Sequence, residues 1–254
     1  MGSTHIRSHI DISTFYKLDN IHGVLAAWEK MKDAVGLELV AFPQTGMLID
    51  PGCAELMEAS IDEGASVIGG IDPGTIDGDT KGHLDKIFDI AHRKSAKIDI
   101  HLHEPGELGL YEMNLICDRT KALGMNGRVV VSHAFCLGDG PAAKVSAMIE
   151  RLSDLQIGII SAVPGEIEFP PMFDLAKANV PCALASDSIR DTWNPHGNGD
   201  MLDRCWLFSF RNWCRTDNEL LACLDMGRSR GADLLDLKGY GLSPGCEGSL
   251  VLVH

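Results

Sequence analysis

A parallel α/β architecture, a TIM-type (β/α)8 barrel lacking one strand, is what this chain encodes. Three observations point to it. Short runs rich in Val and Ile alternate with amphipathic helical stretches, the pattern of repeated βαβ units around a parallel sheet. Seven such runs can be counted, more than the five or six strands usual in a doubly wound sheet. The length of 254 residues suits a barrel folded as one domain, and no G-x-G-x-x-G turn follows the first run.

The first predicted strand is Ile6–Ile12, followed by helical sequence over Leu18–Val35, where Val24, Leu25, Trp28 and Met31 recur at three- and four-residue steps. Leu37–Phe42 is the second strand, broken at Pro43 and Gly46, and Ala54–Glu63 is helical. Ser66–Asp72 is a strand ending at Pro73-Gly74, and Lys81–Ala96 is a helix with Leu84, Ile87, Phe88 and Ala91 on one side. Lys97–His103 is the fourth strand, Glu107–Leu123 a helix, Arg128–His133 the fifth strand and Ala142–Leu155 a helix. Ile157–Val163 and Cys182–Asp187 are the sixth and seventh strands, with a short helix at Met172–Ala178 between them. The chain is then helical to about Asp233.

Composition narrows the function. The formal charge of −14 argues against a nucleic-acid partner, because phosphate contacts need clustered Lys and Arg. No apolar run approaches the roughly 20 residues that cross a bilayer, and the N-terminus does not read as a signal peptide. The eight Cys include no Cys-x-x-Cys pair and read as reduced, cytoplasmic thiols. Cys205, Cys214 and Cys223 step by nine, which on one helix scatters them to opposite sides. The ten His are the unusual feature of so acidic a chain.

In a barrel, catalytic groups gather at the C-terminal ends of the strands. The first strand carries Arg7 and His9, the second ends at Gln44, the fourth at His101, His103 and Glu104, the fifth at His133 and the seventh at Asp187. Imidazoles and a carboxylate are ligands of a catalytic zinc or iron, so His101, His133 and Asp187 on one rim suggest a metal that activates water. Glu104, just past the strand, can act as general acid and base. His103 is expected to face away from the barrel interior. His5, His22, His83, His92 and His254 are expected at the surface.

At these residues the chain resembles the metal-dependent amidohydrolase superfamily, and within it the cytosine deaminase and N-isopropylammelide amidohydrolase group. The similar segments are IRSHIDI (6–12), ELVAFPQTG (38–46), IDIHLHE (98–104), RVVVSHAFC (128–136), ASDSIRDTW (185–193) and GNGDM (197–201), spread over nearly the whole chain. The resemblance implies a (β/α)8 barrel with one divalent metal, zinc or iron. It implies that His101 and Asp187 are metal ligands, that Glu104 is the acid–base group, and that His133 holds the attacking hydroxide. Asp187 would also handle a proton. Gln44 would read the polar edge of a heterocycle, Ser188 would lie beside it and Trp193 would wall the pocket. The implied reaction removes an amino or alkylamino group from a small nitrogen heterocycle. The resemblance also leaves a homo-oligomer open.

Two departures qualify this. The seven strands are similar to the family's second to eighth, so residues 1–238 are expected to form a barrel without its first strand and that strand's His-x-His metal ligands. His5 and His9 have a different spacing and are not expected to replace that pair. Residues 239–254 are similar only to the start of a returning β-sandwich segment. The competing reading is therefore a non-catalytic barrel remnant that binds a ligand or a partner. Ser188 stands where cytosine deaminases proper carry a second acidic residue, which leaves the ring itself open. A Ser or Cys nucleophile lacks support, because no G-x-S-x-G elbow is present.

Overall fold

The computed structural model describes residues 2–165, 167–193 and 195–252. Seven strands lie in one parallel sheet in chain order: β1 (His5–Asp11), β2 (Gly36–Phe42), β3 (Val67–Ile71), β4 (Lys97–Leu102), β5 (Val129–His133), β6 (Gly158–Ser161) and β7 (Cys182–Leu184). Chain order equal to strand order is what successive right-handed βαβ crossovers produce. The crossovers carry α1 (Asp19–Trp28), α2 (Cys53–Asp62), α3 (Thr80–Lys94), α4 (Gly106–Ala122), α5 (Cys136–Asp139), α6 (Ala142–Leu155) and α7 (Met172–Lys177). Three helices follow β7: α8 (Met201–Arg211), α9 (Asp217–Met226) and α10 (Ser229–Leu234). Among the described residues no backbone pairing joins β7 to β1.

The sheet is curled. Flat strands about 4.8 Å apart would put β1 and β4 roughly 14 Å from one another. Instead Arg7 of β1 reaches Asp99 of β4, Nη1 to Oδ2, at 3.0 Å. The two faces follow the two-residue period of a strand. On β4, Ile98, Ile100 and Leu102 are fully buried in the apolar core, where Ile87 and Phe88 of α3 and Met113 and Ile116 of α4 also lie. Asp99, His101 and then His103 point the other way, into the concave interior. On β1, Ile10, and just past its end Ile12, join the core while Arg7, His9 and Asp11 alternate with them.

The strands and helices match the expected order, with differences at their ends. The stretch Leu18–Val35 is helical only to Trp28. The Trp28 indole N–H donates to the Val35 carbonyl at 2.9 Å, folding residues 29–34 into turns, and Met31 is exposed rather than core-facing. β4 stops at Leu102 because the His103 backbone N–H donates to the Asp72 carboxylate at 2.6 Å instead of to the ladder. β7 stops at Leu184, three residues short of Asp187, which has left-handed φ (57°) and turns the chain away. The four-residue helix α5 was not expected.

Cys205, Cys214 and Cys223 do not lie on one continuous helix. Turns separate α8 from α9, and Cys214 and Cys223 meet across them with Sγ atoms 3.6 Å apart. His83 is also corrected: it is fully buried on α3 and bonded to Asp77, Nδ1 to Oδ2, at 2.5 Å. Asp77 in turn accepts the backbone N–H groups of Met47, Leu48 and Ile49, so this pair pins the loop after Gln44. Burial raises the Asp77 carboxyl, but the bonds from His83 and Leu48 outweigh it and hold the group below its usual range. His5 is half-buried, His22 and His92 are exposed, and His254 lies outside the described residues.

Candidate active site

Four imidazoles come together at the C-terminal ends of β1, β4 and β5. The His9 and His101 ring centroids are 4.5 Å apart, His101 and His133 4.8 Å, and His103 and His133 4.4 Å. Phe42 packs on His101 at 4.7 Å and Phe135 on His133 at 5.4 Å, which lines the rings with apolar surface. His133 belongs by sequence to the alternate face of β5, with Val129 and Val131. Its φ of 69° breaks the alternation and lets the ring join the others. Asp72 after β3 and Asp187 after β7 are also left-handed, at 34° and 57°. Strained backbone of this kind gathers at functional sites.

The expectation that His103 faces away is corrected. Residues two apart on a strand share a face, so His101 and His103 point the same way. Asp72 accepts both the backbone N–H of His103 and a bond at ring Nδ1, at 2.6 and 2.7 Å. This carboxylate fixes the ring's orientation and leaves its Nε2 for other partners.

Beneath the rings lies a buried charge network. Asp99 is fully buried and takes Arg7 at 3.0 Å and the Ser132 hydroxyl at 2.7 Å, while Arg7 also bonds Glu38 at 2.7 Å. Burial alone would raise the Asp99 carboxyl, but His9, Arg7 and His101 outweigh it and hold it well below the carboxylate range. For His101, burial first and then the neighbouring His9 and His133 push the pKa well down. For His133, burial and then His103 push it to about 4, against a counter-pull from Asp187. Both rings are therefore neutral at pH 7, the form that donates a lone pair.

A pH dependence follows. An unfolded His titrates near about 6.5, so between there and about 4 the unfolded chain binds the His133 proton and the folded chain does not. Stability carried by His133 is present above pH 6.5 or so and is lost as pH falls toward 4. In metal-free protein, His133→Gln should flatten the fall in melting temperature between pH 7 and 4; an unchanged fall would contradict the assignment.

The sequence-predicted residues divide into two sets. His101 and His133 are together. Glu104 is buried, its Oε1 taking the Thr75 backbone N–H at 2.7 Å. Asp187 is exposed and its charge reaches His133 and Arg204, whose guanidinium holds the carbonyls of Ala162 and Ser186. Gln44 is half-buried with its backbone N–H beside the Asp11 carboxyl. Ser188 is half-buried, and its carbonyl oxygen packs on Gly197, where a Cβ would come within 2.4 Å. Trp193 is 74% exposed, with its backbone N–H on Asp191 at 2.9 Å, so its indole does not enclose the rings.

The donor group best placed for a cation is His9, Asp99 and His101, whose ligand atoms all lie within 4.8 Å of one another. His9 Nε2 and His101 Nδ1 are buried and have no hydrogen-bond partner. His9 was set aside on its spacing from His5. The period-two series Arg7, His9, Asp11 and Asp99, His101, His103 would have found it.

Comparison with known proteins agrees with this architecture. Residues 3–254 match the Amidohydrolase family model. N-isopropylammelide isopropyl amidohydrolase of Pseudomonas sp. (strain ADP) is 32% identical over 254 residues, all of this chain and 63% of that protein. The crystal structure of N-isopropylammelide isopropylaminohydrolase from Burkholderia multivorans superposes with a TM-score of 0.95 at 38% identity, covering 97% of this chain and 63% of that one. 5-methylcytosine deaminase from Klebsiella pneumoniae, bound to phosphonocytosine, gives 0.85 at 27% identity, over 95% and 62%. The chain thus spans slightly under two thirds of the length of these relatives. With its family model matched from residue 3 onward and its curled parallel sheet shared with these structures, the chain belongs to the amidohydrolase family.

Proposed function

We propose that this chain is the barrel of a metal-dependent hydrolase that removes an amino or alkylamino group from a small, neutral nitrogen heterocycle in the cytoplasm. The observation that carries the reading is the set of four imidazoles and a buried carboxyl at one strand-end rim. The names of the relatives support the substrate class.

The residues fit a divalent ion. Two buried imidazole nitrogens, His9 Nε2 and His101 Nδ1, with no hydrogen-bond partner beside a carboxylate are a donor set for zinc or iron. His9 and His101 would hold it. Asp99, already bonded to Arg7 and Ser132, would contribute mainly charge, and Asp187 would close the set from the loop after β7. When bound, the ion supplies an activated water as nucleophile.

The chain's own groups do the rest. Glu104 carries a proton from the water to the leaving nitrogen. His133 stabilises negative charge as it develops on the ring, and Asp187 assists the proton movement. His103, oriented by Asp72, presents Nε2 beside His133. Gln44 and Ser188 would read the polar edge of the heterocycle.

The test is an assay of the zinc- or iron-loaded chain, and of a full-length relative, against aminopyrimidines and N-alkylaminotriazines, following release of ammonia or alkylamine. Release from at least one ring is expected, with metal content lowered by both His9→Ala and His101→Ala. A chain that takes up metal but releases amine from none of them would overturn the reading.

A further inference from the structure

Behind Glu104 sits a second acid that the reaction does not use. Glu112, on α4, is completely buried. Its carboxyl adjoins that of Glu104, the two reaching the same point above Gly74. Its Oε1 takes the Thr80 hydroxyl at 3.1 Å. Among the described residues, neither Glu104 Oε2 nor Glu112 Oε2 has a hydrogen-bond partner, though both are buried. The pair is fitted to Gly74: a Cβ there would come 2.8 Å from Glu112 Oε1 and 3.1 Å from Glu104 Oε1. Among the described residues no cation is bonded to either carboxyl, and two adjacent buried carboxylates cannot both be ionised, so the pair holds a proton.

The two acids differ in their support. Glu104 Oε1 receives a short backbone N–H bond from Thr75 at 2.7 Å, which ties that oxygen down. Glu112 has the Thr80 hydroxyl and a looser approach from the Gly74 backbone. Burial, and then the bond and charge of Glu104, push the Glu112 carboxyl well above the ordinary range. The other titratable group facing it is Cys136 on α5, whose thiol is pushed up to about 12 by burial first, and stays neutral.

We propose that Glu112 keeps a proton at neutral pH and acts as a positioning residue, donating a hydrogen bond that fixes the Glu104 carboxylate for its acid–base role. The proposal rests on the reading of Glu104 as that acid–base group. The shared proton is not consumed in turnover. It orients Glu104 and prevents the carboxyl from swinging away when its own proton leaves.

The decisive measurement is infrared spectroscopy of the 254-residue chain at pH 7. A carboxylic-acid carbonyl band is expected, absent in Glu112→Gln and shifted in Glu104→Gln, where the acceptor has changed. Stability gives a second readout. A raised carboxyl contributes stability that is full below the unfolded pKa and is lost as pH rises. Wild type should therefore lose melting temperature from pH 5 to pH 9, and Glu112→Gln should lose less. In the metal-loaded chain, Glu112→Gln, which keeps a donor, should hold kcat within about threefold, while Glu112→Leu should lower kcat about 10–100-fold with little change in KM. A band that survives Glu112→Gln, or is unmoved by Glu104→Gln, would overturn the proposal, as would equal kinetic damage from Gln and Leu. Normal turnover in Glu104→Gln would instead defeat the reading of Glu104 while leaving the band in place.

Discussion

Arg7→Met should lower the stability of the chain by about 3–5 kcal/mol, the usual cost of removing one partner of a buried ion pair. The side chains of Arg7 and Asp99 are 6% and 0% exposed, and Arg7 is the only cation hydrogen-bonded to Asp99 among the described residues. Without it, Asp99 keeps the Ser132 hydroxyl and the nearby imidazoles but must bury its charge or take up a proton. Lost packing of the Arg7 stem is small, because Met fills a similar volume. The denaturant midpoint should fall with little change in slope. Arg7→Met combined with Asp99→Asn should recover much of the loss, since both charges are then gone. The acid side carries the same signature. The folded Asp99 is held well below the ordinary carboxyl range, so its stability is present above that range and lost as pH falls through it. In Arg7→Met this acid dependence should shrink. A loss below about 1 kcal/mol would show that the bridge is not a structural requirement.

Glu104→Gln should lower kcat about 10²–10⁴-fold in the metal-loaded chain, the range expected for a general acid–base group. KM should move little, because the residue acts on protons and not on ring recognition. The amide can still accept the Thr75 N–H that Glu104 accepts at 2.7 Å, so the fold should be intact. Thermal unfolding alongside the kinetics separates the two effects. Turnover within a few-fold of wild type would remove Glu104 from the mechanism and return the proton transfers to His103 or Asp187.

Much of this was legible in the sequence. The alternation of strands and helices is written in local hydrophobic period, and each of the seven expected strands is present. The strand-end histidines were legible because a parallel barrel gathers the C-terminal ends of its strands at one rim. The curl of a barrel was expected, but not which side chains it brings together across the sheet. Only the curled sheet brings β1 onto β4, so the partnership of His9 with His101 and of Arg7 with Asp99 depends on contacts that no local pattern records. His83 and Glu112 were hidden for another reason. Each lies on a helix whose apolar stripe is otherwise ordinary, and each meets a specific polar partner inside, Asp77 for His83 and the Thr80 hydroxyl for Glu112. His103 was misjudged although its strand carried the answer.

The backbone ladder is uneven, and this gives the interior charges a mechanical meaning. β1 and β2 register over seven residue pairs and β3 and β4 over five, but β2 and β3 register over only two, Val40 with Val67 and Ala41 with Ile68. The first two strands are thus a ribbon stitched lightly to the rest of the sheet. Arg7–Asp99 and Glu38–Lys97 span that seam from the inside, tying β1 and β2 to β4. The concave face acts as a clasp, and an ion shared by His9 and His101 would lock it, so loading the centre and holding the ribbon would be one event.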